Sequence, residues 1–426
     1  MIAQKTERGQ VLVIIILVIV GMMGFAALAI DGGQLYAERR RAQNAADAAA
    51  YKIAFEAVHD PSLTQAELEA MARELITTNG FTQDMAALPE DQPVKIEVHY
   101  PPTSGVYAGN DEYYQVFITT NVQQRFSQFV FSGSQNLTVE AVSHARPYAS
   151  ITPGDALYAN DDNASPALEF DGDGKTYVTG GDAFSNSGAE VSSKQNGNGG
   201  IFVTEPHSIE VAGYFFQTGG YDADHVSPKP LDKDDGIQQQ TLPPVPTPDC
   251  NTDMPSRSVP GDNILLPGRY DSDVKISNGD WVMEPGMYCF MEGFRFNGSN
   301  LYGKNVFIYI AEGGLSITGS GKVELRRDND LRDGVGNPNG DGNQWGGMLF
   351  YVASGEINLL GGSFTQYTGT IFAPNSHCDI GGNAGAVGMR SNIICNTAKI
   401  HGTADVTINY NEPENYRLPP TIELAQ

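Results

Sequence analysis

The sequence predicts a mixed fold: a long apolar N-terminal α-helix, a small α+β module, and a distal all-β domain. An uncharged run near the N-terminus, alternating apolar positions around a short helix, and short strands that end in glycine at regular intervals predict these three parts. The distal pattern favours a parallel β-helix with rungs of roughly 20 residues. The expected divisions are a leader or cytoplasmic segment at 1–10, the long helix at 11–58, the module at 59–148 and the β domain at 149–426.

The composition excludes one class of partner. The chain has 426 residues, with 26 Lys and Arg against 51 Asp and Glu, and a net charge of −25. Nucleic-acid binding requires clustered positive charge that displaces counterions, so we expect no nucleic-acid partner. Glycine and proline (48 and 24 residues) exceed the usual share without reaching a collagen-like composition. The sequence therefore predicts an acidic, turn-rich, ordered protein.

The apolar run at 11–30 (VLVIIILVIVGMMGFAALAI) has the length of a membrane span. At about 1.5 Å per residue it matches a hydrocarbon thickness of about 30 Å. A signal peptide is the alternative, but its apolar region is about 7–15 residues long and ends at a small-x-small cleavage site. Here the run passes directly into Asp31 and a helical pattern. A retained anchor or assembly helix is favoured.

Charge alone does not set the orientation of this span, because Lys5 and Arg8 precede it and three arginines follow it. The acidic, cysteine-containing remainder suits the outside of the cell, so we expect the N-terminus inside and the C-terminus outside.

The helical pattern continues beyond the span as one stripe. Its members are Leu35, Ala42, Ala46, Ala49 and Ile53. Alanine in such a stripe permits close approach of neighbouring helices. A single helix over 11–58 would be about 72 Å long, and we expect it to need partners along its length. A stalk that only spaces a domain from the bilayer is the alternative.

The stretch that begins ERGQVLV resembles the N-terminal segment of TadE/TadG-like proteins of the tight-adherence (Tad/Flp) pilus system. In that family an RGQ-type start precedes an apolar run and the pattern D-x-G-x-L-Y-x-x-R-x-x-x-Q-x-A-A-D-A-A. The matching positions are Asp31, Gly33, Leu35, Tyr36, Arg39, Gln43, Ala45, Ala46, Asp47, Ala48 and Ala49. The resemblance is strong over residues 7–60. It implies a pilin-like envelope protein that works with the Tad secretion and assembly machinery.

We expect the assembly helix to act through a set of apolar and charged positions. These are Ile14, Leu17, Leu28, Asp31, Leu35, Arg39, Arg40, Arg41 and Asp47. In a filament core the arginines would need acidic partners such as Asp31, Glu38 or Asp47 from neighbouring copies.

The module at 59–148 has the pattern of a small scaffold. Thr64 and Glu67 form a predicted capping box, and the helix that they open should stop at Asn79-Gly80. Alternation predicts strands around three sets of positions, and a short helix before the last strand. The strand positions are Val94, Ile96, Val98 and Tyr100, then Val116 and Ile118, then Leu137, Val139 and Ala141; the helix positions are Phe126, Phe129 and Val130.

In the distal half, short strands end at glycines spaced 19, 21, 42, 20 and 21 residues apart. These are Gly279, Gly298, Gly319, Gly361, Gly381 and Gly402. We interpret the step of 42 as two rungs, one of them obscured by the polar stretch 328–343. A second strand is expected in each rung, the last at 406–408. Strands at 176–181 and 209–213 should contribute earlier rungs. A β-sandwich is the alternative, and the regular spacing favours the β-helix.

A proline-rich crossing is predicted at 226–263, which holds eight of the 24 prolines. Cys250 lies in it, and a Cys250–Cys289 disulfide would pin the crossing to the solenoid. Cys378 and Cys395, 17 residues apart, would clip adjacent rungs. Four cysteines allow three pairings, and none forms a CxxC zinc motif.

The sequence contains no recognisable catalytic constellation, with neither HExxH nor GxSxG. We therefore predict no catalytic residues, no enzymatic activity and no cofactor. Calcium is the one ligand that the sequence leaves open, because oxygen-bearing side chains alternate with other residues in one part of the chain. The alternative is that these residues form solvated turns. The calcium candidates are Asp328, Asp330, Asp333 and Asp341.

The sequence thus predicts a structural subunit of an extracellular Tad-like filament, membrane-inserted before assembly. We expect homo-oligomers through the N-terminal helix, with the β domain displayed for adhesion and surface glycans as possible partners. Two alternatives stay open: a minor TadG-like assembly or tip adhesin in the membrane, and a tethered β-helix enzyme acting on polysaccharides.

Overall fold

A computed structural model describes most of the chain. The described residues are 8–60, 62–81, 94–122, 126, 135–146, 149–250, 254–319, 321–328, 345–361, 364–382 and 387–425. The chain divides into two compact units, Met1–Tyr148 with Pro419–Gln426, and Ala149–Leu418. The C-terminal residues therefore group with the first unit, whereas we had placed them in the β domain.

The long N-terminal helix and the distal β-solenoid are confirmed. The elements in chain order are α1 Arg8–His59, α2 Gln65–Thr78, β1 Val94–His99, β2 Tyr113–Val122, β3 Gln135–Arg146, β4 Ala149–Ser150, β5 Asp155–Ala159, β6 Leu168–Gly172, β7 Lys175–Thr179, β8 Asp182–Ser185, β9 Ser193–Gln195, β10 Gly200–Val203, β11 Ile209–Val211, β12 Phe215–Gln217, β13 Val226–Ser227, β14 Ile264–Leu265, β15 Gly268–Tyr270, β16 Val274–Ile276, β17 Asp280–Met283, β18 Gly286–Phe290, β19 Phe294–Phe296, β20 Asn300–Lys304, β21 Val306–Ile310, β22 Leu315–Ile317, β23 Lys322–Arg326, β24 Met348–Val352, β25 Ile357–Gly361, β26 Phe364–Thr368, β27 Thr370–Gly382, β28 Val387–Arg390, β29 Ile393–Gly402, β30 Val406–Asn409, β31 Arg417–Leu418 and β32 Thr421–Ala425.

The first unit is a four-stranded antiparallel sheet, in the order β1-β2-β3-β32, packed against α1 and α2. The predicted capping box of α2 is present: the Thr64 hydroxyl accepts from the Glu67 N–H, and the Glu67 carboxylate accepts from the Thr64 N–H. Asn79 is the C-cap, as expected. The predicted strands lie in β1, β2 and β3, although β1 ends before Tyr100. The sequence predicts a short helix around Phe126, Phe129 and Val130, and two of these residues, Phe129 and Val130, lie outside the described residues.

Helix α1 changes character along its length. Its first part, over 12–30, is apolar and exposed, whereas the alanine stripe after residue 41 is buried in the core of the first unit. Ala42, Ala46 and Ala49 are fully buried there, close to strands that supply Val116 and Ile118. Our expectation that the helix needs external partners along its whole length is therefore wrong for this half. Alanine permits close approach, but the neighbour is the unit's own sheet.

The second unit is a parallel β-solenoid whose strands stack into three sheets. Sheet A is ten-stranded, in the order β14-β17-β20-β23-β26-β28-β30-β7-β10-β13. Sheet B runs β15-β18-β21-β24-β27-β29-β5-β8-β11, and sheet C runs β16-β19-β22-β25-β27-β29-β6-β9-β12. β27 and β29 turn the corner and belong to both B and C. All six predicted glycine-ended strands lie in sheet C, whereas 406–408 lies in sheet A, against our expectation that it continued the second strands.

The order of coils in the stack differs from their order in the sequence. The coils of 155–227, which we expected before the others, follow the last one: β7 pairs with β30, and β5 and β6 pair with β29. The 42-residue step is a single coil, because Ile308 pairs directly with Phe350 and Leu315 with Ile357. The predicted hidden rung is therefore wrong. The extra length is an insertion after β23, and a polar stretch of this kind leaves strand spacing ambiguous.

The crossing pairs with sheet B at both ends of the stack. Leu231 pairs with the free edge of β11, and residues 255–257 pair with the free edge of β15. Between these points the crossing covers the outer face of sheet B with apolar side chains, among them Leu242 and Val245. Sheet B is accordingly buried on both faces, and all five residues of β21 are buried. In sheet B, these covered edges prevent unwanted strand pairing.

Two disulfides hold these parts together, in the pairing considered from the sequence. Cys250–Cys289 joins the crossing to sheet B, with the Cα atoms 6.0 Å apart. Cys378–Cys395 joins adjacent coils at the same Cα separation.

Glycine is required at the corner that leads from sheet C to sheet A. Gly402 has φ +128°, and a Cβ there would lie 2.3 Å from the carbonyl oxygen of Gly382.

Candidate assembly and membrane helix

The exposed part of α1 is apolar around its whole circumference. The predicted residues Ile14, Leu17 and Leu28 are 59%, 66% and 66% exposed. A helix that is apolar on all sides needs lipid or other helices around it. Among the described residues, α1 is the one helix long and apolar enough to cross a membrane. At about 1.5 Å per residue, the segment 12–30 matches the hydrocarbon thickness of one bilayer.

Asp31 lies where the exposed segment ends, and it faces inward. Its side chain is 7% exposed, and both carboxylate oxygens accept from the backbone N–H of Phe126, at 3.3 and 3.1 Å. A buried carboxylate needs such donors because an unsatisfied charge is costly. Asp31 therefore binds the backbone of Phe126 in its own chain. Pairing of Asp31 with an arginine of a neighbouring copy stays a prediction.

The three arginines have different surroundings. The Arg41 guanidinium lies 3.4 Å from the Glu38 carboxylate, donates to the Gly80 carbonyl oxygen at 2.6 Å, and stacks on the Phe81 ring. Arg41 therefore has partners within the chain, and an acidic partner from a neighbouring copy stays a prediction. Its contact with Gly80 fixes the end of α2 against α1.

Arg39 and Arg40 are exposed, and within the described parts of the chain neither has a hydrogen-bond or ion-pair partner. They lie about 13 Å along the helix from Ile30. Two adjacent unpaired guanidinium groups remain available to an acidic surface, a neighbouring subunit or lipid headgroups.

Gln43 and Asp47 form a clasp between α1 and the sheet. The Gln43 amide donates to the Asp47 carboxylate at 2.8 Å and to the carbonyl oxygen of Glu140 at 2.8 Å. Leu35 is half-buried on the same helix. Gln43 and Asp47, two further positions of the predicted pattern, thus stabilise the first unit. Sequence reasoning missed the acceptor Glu140, because nothing in a strand's alternation indicates which carbonyl a distant glutamine will reach.

The calcium candidates gain no support. Asp328 bonds to Arg326 at 3.1 Å, and Asp330, Asp333 and Asp341 lie outside the described residues. The part of the chain that the structure describes holds no group of three or more His, Cys, Asp or Glu side chains that could bind a metal ion.

Comparison with known families agrees with the N-terminal pattern. Residues 9–51 match a family model described as putative Flp pilus-assembly TadE/G-like. The match covers the exposed segment of α1, Asp31, the three arginines and the Gln43–Asp47 clasp, and it stops before the solenoid. A search of curated proteins returned no match, and neither did a search of solved structures. An N-terminal segment similar to TadE/G-like proteins therefore precedes a solenoid for which these comparisons returned no match.

Proposed function

We propose that the protein is a structural component of a Tad-type pilus system that carries its solenoid at the bacterial cell surface. The segment 12–30 inserts in the membrane before assembly and then packs with copies of itself in the core of an extracellular filament. This proposal rests on the exposed apolar segment of α1, which lies within the region that matches the TadE/G-like family model. Burial of such a segment among other helices is strongly favourable.

The solenoid supports display rather than polymerisation. The crossing covers the two end edges of sheet B, so these strands are not free to pair with another copy. Subunit contacts in a filament therefore fall to α1. Two disulfides suit an oxidising environment outside the cytoplasm. We propose that the solenoid binds a surface partner and catalyses no reaction.

A second candidate, a minor TadG-like component that stays anchored in the membrane, is favoured by one observation. The alanine stripe is occupied within the first unit, so only the part of α1 before residue 41 remains to be buried. Its apolar portion is about as long as one bilayer is thick. Insertion of this part of α1 as a single membrane span would bury its apolar surface without a filament.

The experiment shears surface structures from cells that produce the full chain, images them by electron microscopy and identifies their subunits by mass spectrometry. The filament proposal expects the protein as an abundant subunit of the sheared filaments. Recovery from detergent-extracted membranes alone supports the anchored candidate and overturns the filament. Leu17→Lys, which places a charge in the apolar segment, should abolish both membrane insertion and assembly. The control Tyr51→Lys changes an exposed residue of the same helix outside that segment and should change neither.

A further inference from the structure

Sheet A has an outer face that the crossing leaves uncovered. The crossing covers the outer face of sheet B, whereas apolar and aromatic side chains on the outer face of sheet A are exposed to solvent. They are Tyr177, Ile264, Val282, Tyr302 and Phe364. Ile264, Val282 and Tyr302 lie side by side on β14, β17 and β20, and Phe364 lies two strands further on, in the next row. These four form an exposed apolar patch that a stable monomer does not need, whereas Tyr177 lies apart from them on β7.

The patch is part of a continuous groove. Three depressions, of about 400, 340 and 320 Å³, follow one another across sheet A from Val282 to Thr407. The first and second share Glu324 and Arg326 as walls, and the second and third share Gln366 and Arg390. The groove crosses six strands, from β17 to β30, so it is about 24 Å long at about 4.8 Å per strand. Its shape suits an extended polymer lying along the solenoid axis.

Gly388 forms the floor of the third depression, and the fold does not require it. A Cβ there would meet only the carbonyl oxygen of Thr365, at 3.7 Å, and its φ lies outside the left-handed region. Glycine inside a strand weakens the sheet, and it often marks close approach of a ligand. This contrasts with Gly402, where packing and φ both demand glycine. The open space above Gly388 is therefore part of the groove and does not follow from a packing requirement of the fold.

The side chains around Gly388 combine one aromatic ring, over which the Lys322 ammonium lies 5.0 Å from the centroid, with Arg390 and several neutral hydrogen-bonding groups. Phe364 is 47% exposed and lines one wall. Gln366, Thr407 and Asn409 supply amide and hydroxyl groups. Gln366 has no hydrogen-bond partner among the described residues, so its amide is available. The Asn409 amide oxygen accepts from the Thr179 hydroxyl at 2.7 Å, and within the described structure its amide nitrogen remains available as a donor. A ring beside such amide groups suits a ligand with apolar faces and many hydroxyls.

The charges along the groove are largely compensated. Lys322 pairs with Glu324 at 2.9 Å, Arg326 with Asp328 at 3.1 Å, and Arg390 with Glu414 at 2.5 Å. Lys304 and Glu284, which line the first depression without ion-pair partners in the described structure, balance each other. A polyanion would require an excess of cations here, and a polycation an excess of acids. The balance favours an uncharged ligand.

We propose that this groove binds an uncharged linear polysaccharide, with a sugar ring on Phe364 above Gly388 and its hydroxyls bonded to Gln366 and Asn409. A nucleic acid is disfavoured by the net charge of −25. A peptide that adds a strand needs an open edge, whereas this surface is the face of a paired sheet. The proposal rests on the surface display proposed above, because only a displayed solenoid meets an external glycan.

The test uses the purified full chain in detergent and affinity electrophoresis through gels that contain soluble neutral glucans, mannans or xylans, with hyaluronate as an anionic control. We expect retardation by at least one neutral polymer. Phe364→Ala and Gly388→Leu should each weaken binding about tenfold, the effect of losing one aromatic contact or filling the depression. Gln366→Ala should weaken it less. The matched control is Phe216→Ala, since Phe216 is 46% exposed but lies on sheet C.

Retardation by none of the neutral polymers, or equal binding by Phe364→Ala, Gly388→Leu and the wild type, overturns the proposal. Binding of hyaluronate alone also overturns it. Release of reducing ends would show an enzyme and contradict binding without catalysis. Trp281 and Trp345 both lie in the solenoid, so their fluorescence checks that each variant is folded. Filament formation is measured separately, so loss of glycan binding with intact assembly contradicts this inference and leaves the proposed function standing.

Discussion

The Lys399 ammonium donates to the Asp171 carboxylate at 2.9 Å, although 228 residues separate the two positions. This bond, the largest influence on that carboxyl, helps to hold the pKa of Asp171 below its usual range. The pair lies where β29 meets β6, at the joint between the last coil in sequence and the first. Sheets A, B and C all continue through this joint by backbone pairing. The two halves of the solenoid are therefore one stack without a covalent link at the point of contact.

The glycine corner gives the first prediction. Gly402→Ala should destabilise the solenoid by about 2 to 4 kcal/mol, because the added Cβ meets the Gly382 carbonyl at a strained φ. Gly388→Ala is the control and should change the free energy of unfolding by less than about 1 kcal/mol. Denaturant unfolding followed by tryptophan fluorescence measures both. Equal stability of the two variants would refute the role of this corner.

The second prediction concerns the buried half of α1. Ala46→Leu should destabilise the first unit by about 1 to 3 kcal/mol, since the enlarged side chain has no room against the sheet. Ala29→Leu enlarges an exposed alanine of the same helix and should leave stability unchanged. Circular dichroism at 222 nm follows helix loss in the full chain in detergent. If Ala46→Leu proves as stable as the control, the stripe has its partner elsewhere.

The third prediction is a pH dependence centred on Asp155. Burial, with Asp182 and Glu210 nearby, raises the pKa of Asp155 to about 8. The folded state then binds a proton that the unfolded chain releases near pH 4, so this carboxyl's contribution to stability is present below about pH 4 and is lost as pH rises towards 8. Asp155→Asn should remove this slope and stabilise the solenoid at pH 8 by about 2 to 5 kcal/mol.

Denaturant midpoints of Asp155→Asn and the wild type, taken from pH 4 to pH 9, measure the effect. The two proteins should differ little at pH 4. Parallel curves across the whole range would show that Asp155 is ionised in the folded state. His207 lies 3.4 Å from Asp182, one of the carboxylates near Asp155, so His207→Gln is the matched control.

The fourth prediction separates the two disulfides. The double variant Cys250→Ala/Cys289→Ala opens a 39-residue loop and should cost about 2 to 4 kcal/mol. It should also make the crossing sensitive to proteinase K, because its apolar cover on sheet B loses a fixed point. Cys378→Ala/Cys395→Ala opens a 17-residue loop between coils and should leave the crossing resistant. Mass spectrometry locates the cuts, and cleavage of both variants at the same sites would argue against a pinning role for Cys250.

Much of this fold follows from local pattern. The capping box of Thr64 and Glu67, the apolar run and the glycine-ended strands each depend on neighbours within a few residues, so the sequence predicts them directly. Stack order is different. Spacing predicts that a coil exists, but the coil that it stacks on depends on long-range packing, so Ile393 pairing with Leu157 could not be foreseen.

The candidate site was predicted in the same uneven way. The exposed positions Ile14, Leu17 and Leu28 follow from hydropathy alone. The partners of Asp31 and Arg41 could not be predicted, because a backbone amide or carbonyl carries no sequence signal that distinguishes it from any other. The alanine stripe was likewise ambiguous, since small residues permit close packing against a sheet as well as against another helix.

The chain enters the solenoid through β4 and leaves it through β31, and these two strands pair with each other beside coils in the middle of the stack. Tension applied at one end of a stack of coils can unfold the stack one coil at a time. Here a pull through either connection loads two neighbouring backbone segments at once, with coils on both sides to share the force. If the solenoid is displayed at the cell surface as proposed, this arrangement should make it resist unfolding coil by coil under tension.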